Sequence, residues 1–276
     1  MTQTGYPGSM ENIMCFSNGI VLLASDLDGT LLNEESRISG ETVAAVKMAQ
    51  SLGVRFVAVT GRAWNTAHFI LQEAGIEADY VLLNGAEFRT SSGSIIYQEA
   101  IGSEKAEKIM DELSATGMDF EVNTDQCDFS TDIKMCQSAS ELPDLEKFWS
   151  RKPKILKFFA FSDDLLLVEK IRGNLKDWNG ITLTSSAPWN IEITSPTADK
   201  GMMLKRVTEF YQTSNEEVVV FGDGENDETM FRRFSHSCAV ENAVPTILCL
   251  AEKVIESNQK NGVAKEIHKI LGGQSI

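Results

Sequence analysis

The sequence has few cysteines and few histidines. Its 276 residues include five cysteines and three histidines, and no two cysteines form a C-x-x-C pair. A disulfide framework needs paired cysteines, and a structural zinc site needs cysteines or histidines at close spacing, so the sequence suggests neither. We therefore expect the cysteines to be ordinary buried or surface thiols.

Positive charge is also scarce. The chain has 25 Lys and Arg against 40 Asp and Glu, which gives a formal net charge of −15. Nucleic acids and anionic membrane surfaces attract proteins with a basic face, so neither is expected as a partner. A small phosphorylated metabolite would need local help to bind so acidic a protein, and a metal ion could supply that help.

Long apolar runs are missing as well. No run approaches the roughly 20 residues that a membrane-spanning helix needs. The first basic residue is Arg37, so the chain does not begin with the basic segment of a secretory signal. The sequence predicts a cytoplasmic protein without a membrane span, in which residues 1–18 are an N-terminal extension that is disordered or partly a tag.

Short apolar strands alternate with helices in the rest of the chain. Five strand-like runs are each followed by a turn signal, and these are Ile20–Ser25, Phe56–Thr60, Tyr80–Leu83, Glu217–Phe221 and Ser237–Val240. Helices are predicted from a cap at Ser39 to about Ser51, over Gly201–Tyr211, from Pro245 onward, and over Gly262–Leu271. Such alternation is typical of a doubly wound parallel sheet, so the predicted fold class is α/β.

The middle of the chain follows another pattern. A hairpin is predicted around Ser91-Ser92-Gly93, followed by helices and strands without strict alternation. The helices are predicted at Ser103–Thr116 and Asp163–Trp178, and the strands at Phe120–Val122, Ile155–Phe161, Ile181–Ser185 and Trp189–Thr194. We interpret residues 86–196 as an inserted α+β domain, and residues 19–85 and 197–276 as the α/β domain.

Two carboxylates follow the first predicted strand, in the segment Ser25-Asp26-Leu27-Asp28-Gly29-Thr30. Ligands of α/β sheets bind beyond the carboxyl ends of the strands. Asp26 and Asp28 would repel each other there unless a cation lies between them, and Gly29 lets the chain turn away sharply. The alternative is a turn with solvated acids, because an isolated D-x-D-G occurs often by chance.

A second acidic cluster follows the run Glu217–Phe221, in Gly222-Asp223-Gly224-Glu225-Asn226-Asp227. This segment lacks the third glycine of a dinucleotide-binding fingerprint, which excludes that function for it. Asp223 together with Asp26 could supply the oxygen ligands that Mg²⁺ prefers. The second cluster therefore favours a metal site over a solvated turn at Asp26.

Two further motifs suit a phosphate group. Thr60-Gly61-Arg62 ends a strand with a hydroxyl and free backbone N–H groups, and Lys200-Gly201 opens a helix with a cation. Taken singly, Thr60 could be a helix cap and Lys200 a solvated lysine. Their joint position after successive strands favours a phosphate site.

These motifs together resemble the four motifs of the haloacid dehalogenase (HAD) superfamily. Within that superfamily, the sequence is most similar to the Cof-type, or IIB, phosphatases. Supporting motifs of the same subgroup are Asn84-Gly85-Ala86, Glu241-Asn242-Ala243 and Asn261-Gly262-Val263-Ala264. The resemblance implies a Rossmann-like HAD core with an inserted α+β cap domain of the C2 type. It also implies an enzyme, a Mg²⁺-dependent phosphatase that hydrolyses sugar phosphates or similar phosphomonoesters through an aspartyl-phosphate.

The resemblance further implies a role for each motif residue. Asp26 would be the nucleophile and Asp28 the general acid and base, with Lys200 as a third catalytic residue. The residues expected to bind phosphate are Thr60, Gly61, Lys200 and Asn226, with Arg62 and Asn84 as further candidates. The residues expected to hold Mg²⁺ are Asp26, Asp28 through its backbone carbonyl, Asp223 and Asp227.

Two other functions stay open. A phosphohexomutase of the same capped class would add basic residues in the cap to hold a second phosphate, and an inactive scaffold could be a phosphate or metal sensor. Asp28 disfavours P-type ATPases, which carry a threonine at this position, and dehalogenases, which lack this second aspartate.

Within the cap, three groups of side chains receive structural predictions. The basic stretch Arg151–Lys157 is expected to be a solvated face rather than an anion site. The acidic stretch is expected at the surface, and it contains Asp119, Glu121, Asp125, Asp128 and Asp132. Phe129, Met135 and Trp189 are expected in the core rather than at the substrate.

Overall fold

The computed structural model describes residues 19–272, which form two β-sheets with packed helices. The predicted extension 1–18 lies outside the described residues. The strands are β1 Leu22–Ser25, β2 Arg55–Val59, β3 Asp79–Leu82, β4 Glu87–Arg89, β5 Ile95–Gln98, β6 Asp119–Thr124, β7 Asp128–Ser130, β8 Ser140–Glu141, β9 Ile155–Phe161, β10 Thr182–Thr184, β11 Asn190–Thr194, β12 Val218–Gly222, β13 His236–Val240 and β14 Lys253–Ile255. The helices are α1 Gly40–Ser51, α2 Trp64–Glu73, α3 Ser103–Thr116, α4 Leu145–Ser150, α5 Leu165–Leu175, α6 Lys200–Tyr211, α7 Glu228–Arg233, α8 Pro245–Leu250 and α9 Gly262–Ile270.

The larger sheet, which we call the core sheet, has the strand order β14-β13-β12-β1-β2-β3-β4-β5. Its strands from β14 to β3 are parallel, and the five predicted strands are all among them, within one or two residues of their expected ends. The α/β fold class is therefore confirmed. Because β1 lies between β12 and β2, the loops that follow these three strands leave the sheet side by side.

Local sequence explains most of these elements. Every residue of β1 is buried, as expected of a parallel strand covered on both faces. Ser39 caps α1 as predicted, because its Oγ accepts the backbone N–H of Thr42 at 3.1 Å. A helix was expected after Thr60-Gly61-Arg62 without stated bounds, and α2 is that helix, whereas the partly exposed edge strand β14 was not predicted. Among residues 19–272, no helix is both long and apolar enough to cross a membrane.

The predicted hairpin at Ser91-Ser92-Gly93 exists, but it belongs to the core sheet. Its strands β4 and β5 are antiparallel, and β4 pairs with β3 through Tyr80 and Arg89. The hairpin therefore extends the core sheet by two strands, whereas the sequence interpretation placed it in the inserted domain. The division of the chain at residues 86 and 196 otherwise remains a prediction.

The second sheet, which we call the cap sheet, has the order β10-β11-β9-β6-β7-β8. Side chains alternate across its central strands β6, β9 and β11. One face packs on α3 and α5 in a core of its own, with Phe120, Val122, Phe158, Ile191 and Ile193. The opposite face carries Glu121, Asn123, Lys157, Phe159 and Glu192, which are paired in register across the three strands. This polar face is turned toward the core sheet.

Asp128 on β7 is only partly exposed, contrary to the surface position expected for it. Burial, together with the nearby carboxylates of Glu121 and Glu87, raises the pKa of Asp128 to about 6. A group whose pKa is raised on folding binds more protons in the folded state. Its contribution to the free energy of unfolding therefore falls as the pH rises from its ordinary pKa to about 6.

We expect the Asp128→Asn substitution to raise the free energy of unfolding by about 1–2 kcal/mol near neutral pH and above. The gain should shrink toward about pH 4, where Asp128 is protonated in the folded protein. Urea denaturation at both pH values measures the difference, with Asp111→Asn on the exposed side of α3 as the control. A gain of equal size at both pH values would contradict the raised pKa.

Candidate active site

A cavity of about 800 Å³ lies between the carboxyl ends of the core strands and the polar face of the cap sheet. Of the predicted site residues, six line it, namely Asp26, Asp28, Gly61, Arg62, Asp223 and Asn226. Four others are buried next to these, namely Thr60, Asn84, Lys200 and Asp227. The structure thus brings together all the residues that the four motifs predicted.

Lys200 lies between two carboxylates at the base of the site. Its Nζ donates to Asp26 Oδ1 and to Asp227 Oδ1, both at 2.6 Å, and its side chain is completely buried. The Asp199 side chain caps α6 by accepting the Met202 N–H, which places Lys200 in the first turn. A Cβ on Gly201 would lie 2.3 Å from the Thr229 carbonyl oxygen, so glycine permits α6 to approach α7 this closely. The solvated lysine considered as an alternative is therefore wrong.

Burial and charge act in opposite directions on these groups. Burial, with the charges of Asp227 and Asp223, outweighs the attraction of Lys200 and raises the pKa of Asp26 well above its ordinary value. Burial opposes the charge on Lys200, but Asp227 and Asp26 outweigh it and raise the pKa of Lys200. The single positive charge of Lys200 thus does not fully compensate the negative charge of the carboxylates around it.

Asp223 packs against the turn that follows β1. Its Oδ1 accepts a hydrogen bond from Thr30 Oγ1 at 2.6 Å. Gly29 has a φ of 83°, and a Cβ there would lie 2.3 Å from Asp223 Oδ2, so a larger residue would displace this carboxylate. Burial raises the pKa of Asp223 to about 6. The asparagine Asn242 supports the same turn by donating to the Gly29 carbonyl at 2.8 Å.

The carboxylates of Asp26, Asp223 and Asp227 fit a divalent cation. Each offers one oxygen, and the three oxygens lie within 4.8 Å of one another. Oxygen donors and uncompensated negative charge are what Mg²⁺ requires. Asp227 is already engaged, since its Oδ1 accepts from Lys200 and its Oδ2 accepts the N–H groups of Asp223 and Gly224 at 2.9 and 3.0 Å. Asp227 is therefore placed to orient Asp223 from outside the set of residues that would bind the metal directly.

Asp28 and Arg62 form a bidentate ion pair at the edge of the cavity. Arg62 Nε donates to Asp28 Oδ2 at 2.7 Å, and Arg62 Nη2 donates to Asp28 Oδ1 at 2.6 Å. The Asp28 side chain is 53% exposed, in contrast to the buried Asp26. The two aspartates of the first motif therefore differ in environment, which is the arrangement that two different chemical roles need.

Polar side chains connect the remaining motifs. Thr60 Oγ1 accepts the N–H of Arg62 at 3.1 Å, so Thr60 shapes the loop after β2. Asn84, at a φ of 57°, accepts from Asn226 Nδ2 at 3.2 Å. Its own Nδ2 donates to Glu192 Oε2 of the cap sheet at 2.6 Å. The phosphate-binding candidates are thus linked to each other and to the cap.

The cap sheet contributes side chains to the site that were not predicted from the sequence. Lys157 Nζ lies 2.5 Å from Glu192 Oε2 and donates to the Gly61 carbonyl at 2.9 Å. Lys157 is only 4% exposed, so the solvated face predicted for its stretch is wrong for this residue, although Arg151, Lys152 and Lys154 are exposed. Successive side chains of a strand point to opposite faces. The order of residues in Ile155–Phe161 could therefore have shown that Lys157 and Phe159 lie on the face opposite Phe158.

Two apolar side chains also lie where the sequence analysis did not expect them. Met135 is 54% exposed and Trp189 is 37% exposed, and both line the cavity. Trp189 lies in the turn before β11 and packs edge to face on Phe159, with ring centroids 6.0 Å apart. Phe129, by contrast, is buried in the core of the cap as predicted. Glu121 lines the cavity rather than the outer surface.

Comparisons with known proteins agree with this geometry. The sequence model of one family, described as haloacid dehalogenase-like hydrolase, matches residues 23–267. The 5-amino-6-(5-phospho-D-ribitylamino)uracil phosphatase YwtE of Bacillus subtilis is 28% identical over 283 residues, which cover 91% of this chain and 98% of YwtE. Phosphatase YwpJ of the same organism is 28% identical over 288 residues, which cover 91% and 99%. A solved haloacid dehalogenase-like hydrolase from B. subtilis superposes with a TM-score of 0.82 at 26% identity, covering 90% of this chain and 99% of the other.

Proposed function

This chain belongs to the haloacid dehalogenase-like hydrolase family, and on that premise we propose that it is a Mg²⁺-dependent phosphatase of small phosphomonoesters. Its relatives YwtE and YwpJ are named phosphatases. The substrate in the name of YwtE is a phosphomonoester of a sugar alcohol chain, and the proposed class for this chain is sugar phosphates and similar monoesters.

One observation carries the proposal. Lys200 is completely buried, and it bridges Asp26 and Asp227 directly beneath the cavity. Burying a lysine and two carboxylates is costly, and breaking such a group is costlier still. A site that only bound solvent would gain nothing from this cost, whereas phosphoryl transfer needs a fixed carboxylate beside a fixed cation.

In the first step, a carboxylate oxygen of Asp26 attacks phosphorus and forms an aspartyl-phosphate, while the bond from phosphorus to the leaving oxygen breaks. Lys200 holds the Asp26 side chain in place for this attack. Asp28, in its protonated form and released from Arg62, gives its proton to the leaving oxygen, which departs as the alcohol. A phosphate oxygen also attracts Arg62, and sharing Arg62 in this way loosens its hold on Asp28.

In the second step, Asp28 takes a proton from water as the water attacks the phosphorus of the aspartyl-phosphate. The bond from phosphorus to Asp26 breaks, which restores the carboxylate and releases inorganic phosphate. Backbone N–H groups after β2 and the amide of Asn226 bind the phosphoryl oxygens. Mg²⁺ held by Asp26, the Asp28 carbonyl and Asp223 would neutralise the repulsion between the carboxylate and the phosphate.

The phosphohexomutase alternative receives no support from the cap. That function requires cap cations for a second phosphate. Among the described residues that line the cavity, the cap provides one cation, Lys157, and its charge is paired with Glu192. Release of inorganic phosphate, rather than isomerisation of a hexose phosphate, is therefore the expected reaction.

We expect phosphatase activity to depend on a divalent cation. Purified protein is assayed for phosphate release from p-nitrophenyl phosphate and a panel of sugar phosphates, with Mg²⁺ and after treatment with a chelator. Activity should fall at least about 100-fold without the metal and return when Mg²⁺ is added. Unchanged turnover in chelator would contradict the metal requirement.

The Asp223→Asn variant tests the metal ligands more directly. It should raise the Mg²⁺ concentration for half-maximal activity by more than about tenfold, because one of three converging carboxylates is lost. Excess Mg²⁺ should restore part of the activity. The control is Asp111→Asn, which makes the same substitution far from the cluster on α3. An equal Mg²⁺ requirement in both variants would exclude Asp223 as a ligand.

A further inference from the structure

We infer that the cap selects an uncharged, hydroxyl-rich leaving group that carries a ring, with Trp189 as the platform for the ring and Glu121 as the residue that rejects a second phosphate. This inference rests on the proposed phosphatase function and deepens it. It assigns specificity to two cap side chains that no motif includes.

The position of these side chains follows from the cap sheet. Glu121 on β6 and Glu192 on β11 both pair with Phe159 on β9, so all three share the face toward the cavity. Below them, Asp26 and Asp28 mark the place of the phosphoryl group. A leaving group that extends from this phosphoryl group must therefore cross the polar face of the cap sheet.

The charges on this face exclude a second anion. Among the described cavity-lining residues, the cations are Arg62 and Lys157, and each is paired, with Asp28 and with Glu192. The same lining contains six carboxylates, Asp26, Asp28, Glu121, Glu192, Asp223 and Glu225. A divalent metal held by Asp26 and Asp223 would, together with Lys200, offset charge at the base of the site, whereas Glu121 lies on the cap sheet. A second phosphate near Glu121 would thus meet repulsion without a compensating cation.

The carboxylates of the cap face favour a leaving group that carries hydroxyl groups. Carboxylates accept hydrogen bonds and do not donate them, and sugar hydroxyls are donors. Glu121 Oε1 accepts one bond from Asn123 Nδ2 at 2.6 Å, and Ser185 and Ser186 add hydroxyls to the same lining. The cap face is therefore rich in acceptors, which matches a polyol and not a second phosphate.

Trp189 adds an apolar surface at the mouth of the cavity. Phe159 supports it edge to face, which fixes the indole while 37% of the residue stays exposed. The C–H face of a sugar ring, or the face of a heterocycle, buries apolar area on such a surface. An open-chain polyol presents no comparable face. Trp189 should therefore favour ring-bearing substrates over open-chain ones.

Two matched substrate pairs test the inference. Glucose 6-phosphate and sorbitol 6-phosphate differ in the ring, and fructose 6-phosphate and fructose 1,6-bisphosphate differ in the second phosphate. For the wild-type enzyme we expect kcat/KM to be higher for glucose 6-phosphate than for sorbitol 6-phosphate, and on the order of 100-fold lower for the bisphosphate than for fructose 6-phosphate.

Each variant should change one ratio only. Trp189→Ala should lower kcat/KM for glucose 6-phosphate about fivefold, chiefly through KM, and leave sorbitol 6-phosphate nearly unchanged, while Trp189→Phe keeps the ring preference. Glu121→Gln should reduce the ratio of kcat/KM for fructose 6-phosphate to kcat/KM for fructose 1,6-bisphosphate about tenfold. Leu166→Ala and Glu146→Gln, both exposed residues of the cap, are the controls.

Equal losses of kcat/KM for glucose 6-phosphate and sorbitol 6-phosphate in Trp189→Ala would overturn the role of Trp189 as the platform. Equal kcat/KM for fructose 6-phosphate and the bisphosphate in the wild-type enzyme would overturn the charge filter, although the protein would still be a phosphatase. Failure of the wild-type enzyme to release phosphate from any of the four substrates and from p-nitrophenyl phosphate would overturn the phosphatase proposal and this inference with it.

Discussion

Asp26→Asn should lower phosphatase turnover by on the order of 10⁴-fold and leave the protein folded. The amide cannot attack phosphorus and form the aspartyl-phosphate, and the nearby carboxylates have other partners, as Asp223 has in Thr30. Asp227 is held by Lys200 and two backbone N–H groups, and Asp28 is turned toward Arg62. Single-turnover and steady-state assays with saturating Mg²⁺ would measure the loss.

The fold should tolerate this substitution. Burial raises the pKa of Asp26 well above its ordinary value, so the ionised carboxylate is unfavourable in the absence of a metal. Replacement by an amide removes that penalty, while Lys200 keeps its ion pair with Asp227. Thermal unfolding in chelator should therefore show no loss of stability relative to wild type. Turnover above one tenth of that of the Asp111→Asn control would contradict Asp26 as the nucleophile.

Lys200→Met should lower the free energy of unfolding by about 3–5 kcal/mol and also abolish activity. Methionine has a similar length but no charge, and it leaves Asp26 and Asp227 buried without their shared cation. Because the pKa of Lys200 is raised, its stabilising effect is fully present below the ordinary lysine pKa and is lost only at still higher pH. Lys200 itself stays charged at about pH 6 and pH 8, but without it the pKa of Asp26, already raised by burial, rises further. Protonation of Asp26 then relieves part of the penalty, so the loss should be smaller at about pH 6 than at about pH 8.

Two further measurements separate this effect from a general defect of α6. Lys205→Met, on the same helix but partly exposed, should change the free energy of unfolding by less than about 0.5 kcal/mol. The double variant Lys200→Met, Asp227→Asn should recover part of the loss, because it removes one of the two unpaired carboxylates. Equal destabilisation in the Lys200 and Lys205 variants would show that the buried ion pairs contribute nothing.

Much of the core sheet could be predicted from the sequence, because each buried parallel strand is a short apolar run followed by a turn. The pairing of the hairpin β4–β5 could not. Its residues predict a hairpin equally well in either sheet, and only the contact between β4 and β3 assigns it to the core sheet. A tertiary contact of this kind leaves no trace in the local pattern.

Most of the candidate site was predictable because the motifs at Asp26, Thr60 and Asp223 follow β1, β2 and β12, and these parallel strands end at one edge of the core sheet. Lys200 instead opens α6 after β11, a strand of the cap sheet. The cap residues of the site were harder to predict. Arg151, Lys152 and Lys154 lie in the same basic run as Lys157, and composition alone does not distinguish them. Only the alternation within β9 turns Lys157 toward Glu192, and only the packing of two sheets places that face over Gly61.

The contacts of Lys157 and Glu192 limit how far this cap can be exchanged for another. Both residues bond to the core, Lys157 to the Gly61 carbonyl and Glu192 to the Asn84 amide. A chimaera that grafts a foreign cap would have to carry an equivalent pair, or it would leave the buried Asn84 amide without its acceptor. Glu121 and Trp189 contact Asn123 and Phe159 within the cap, so they can diverge freely and are the natural positions for redesign.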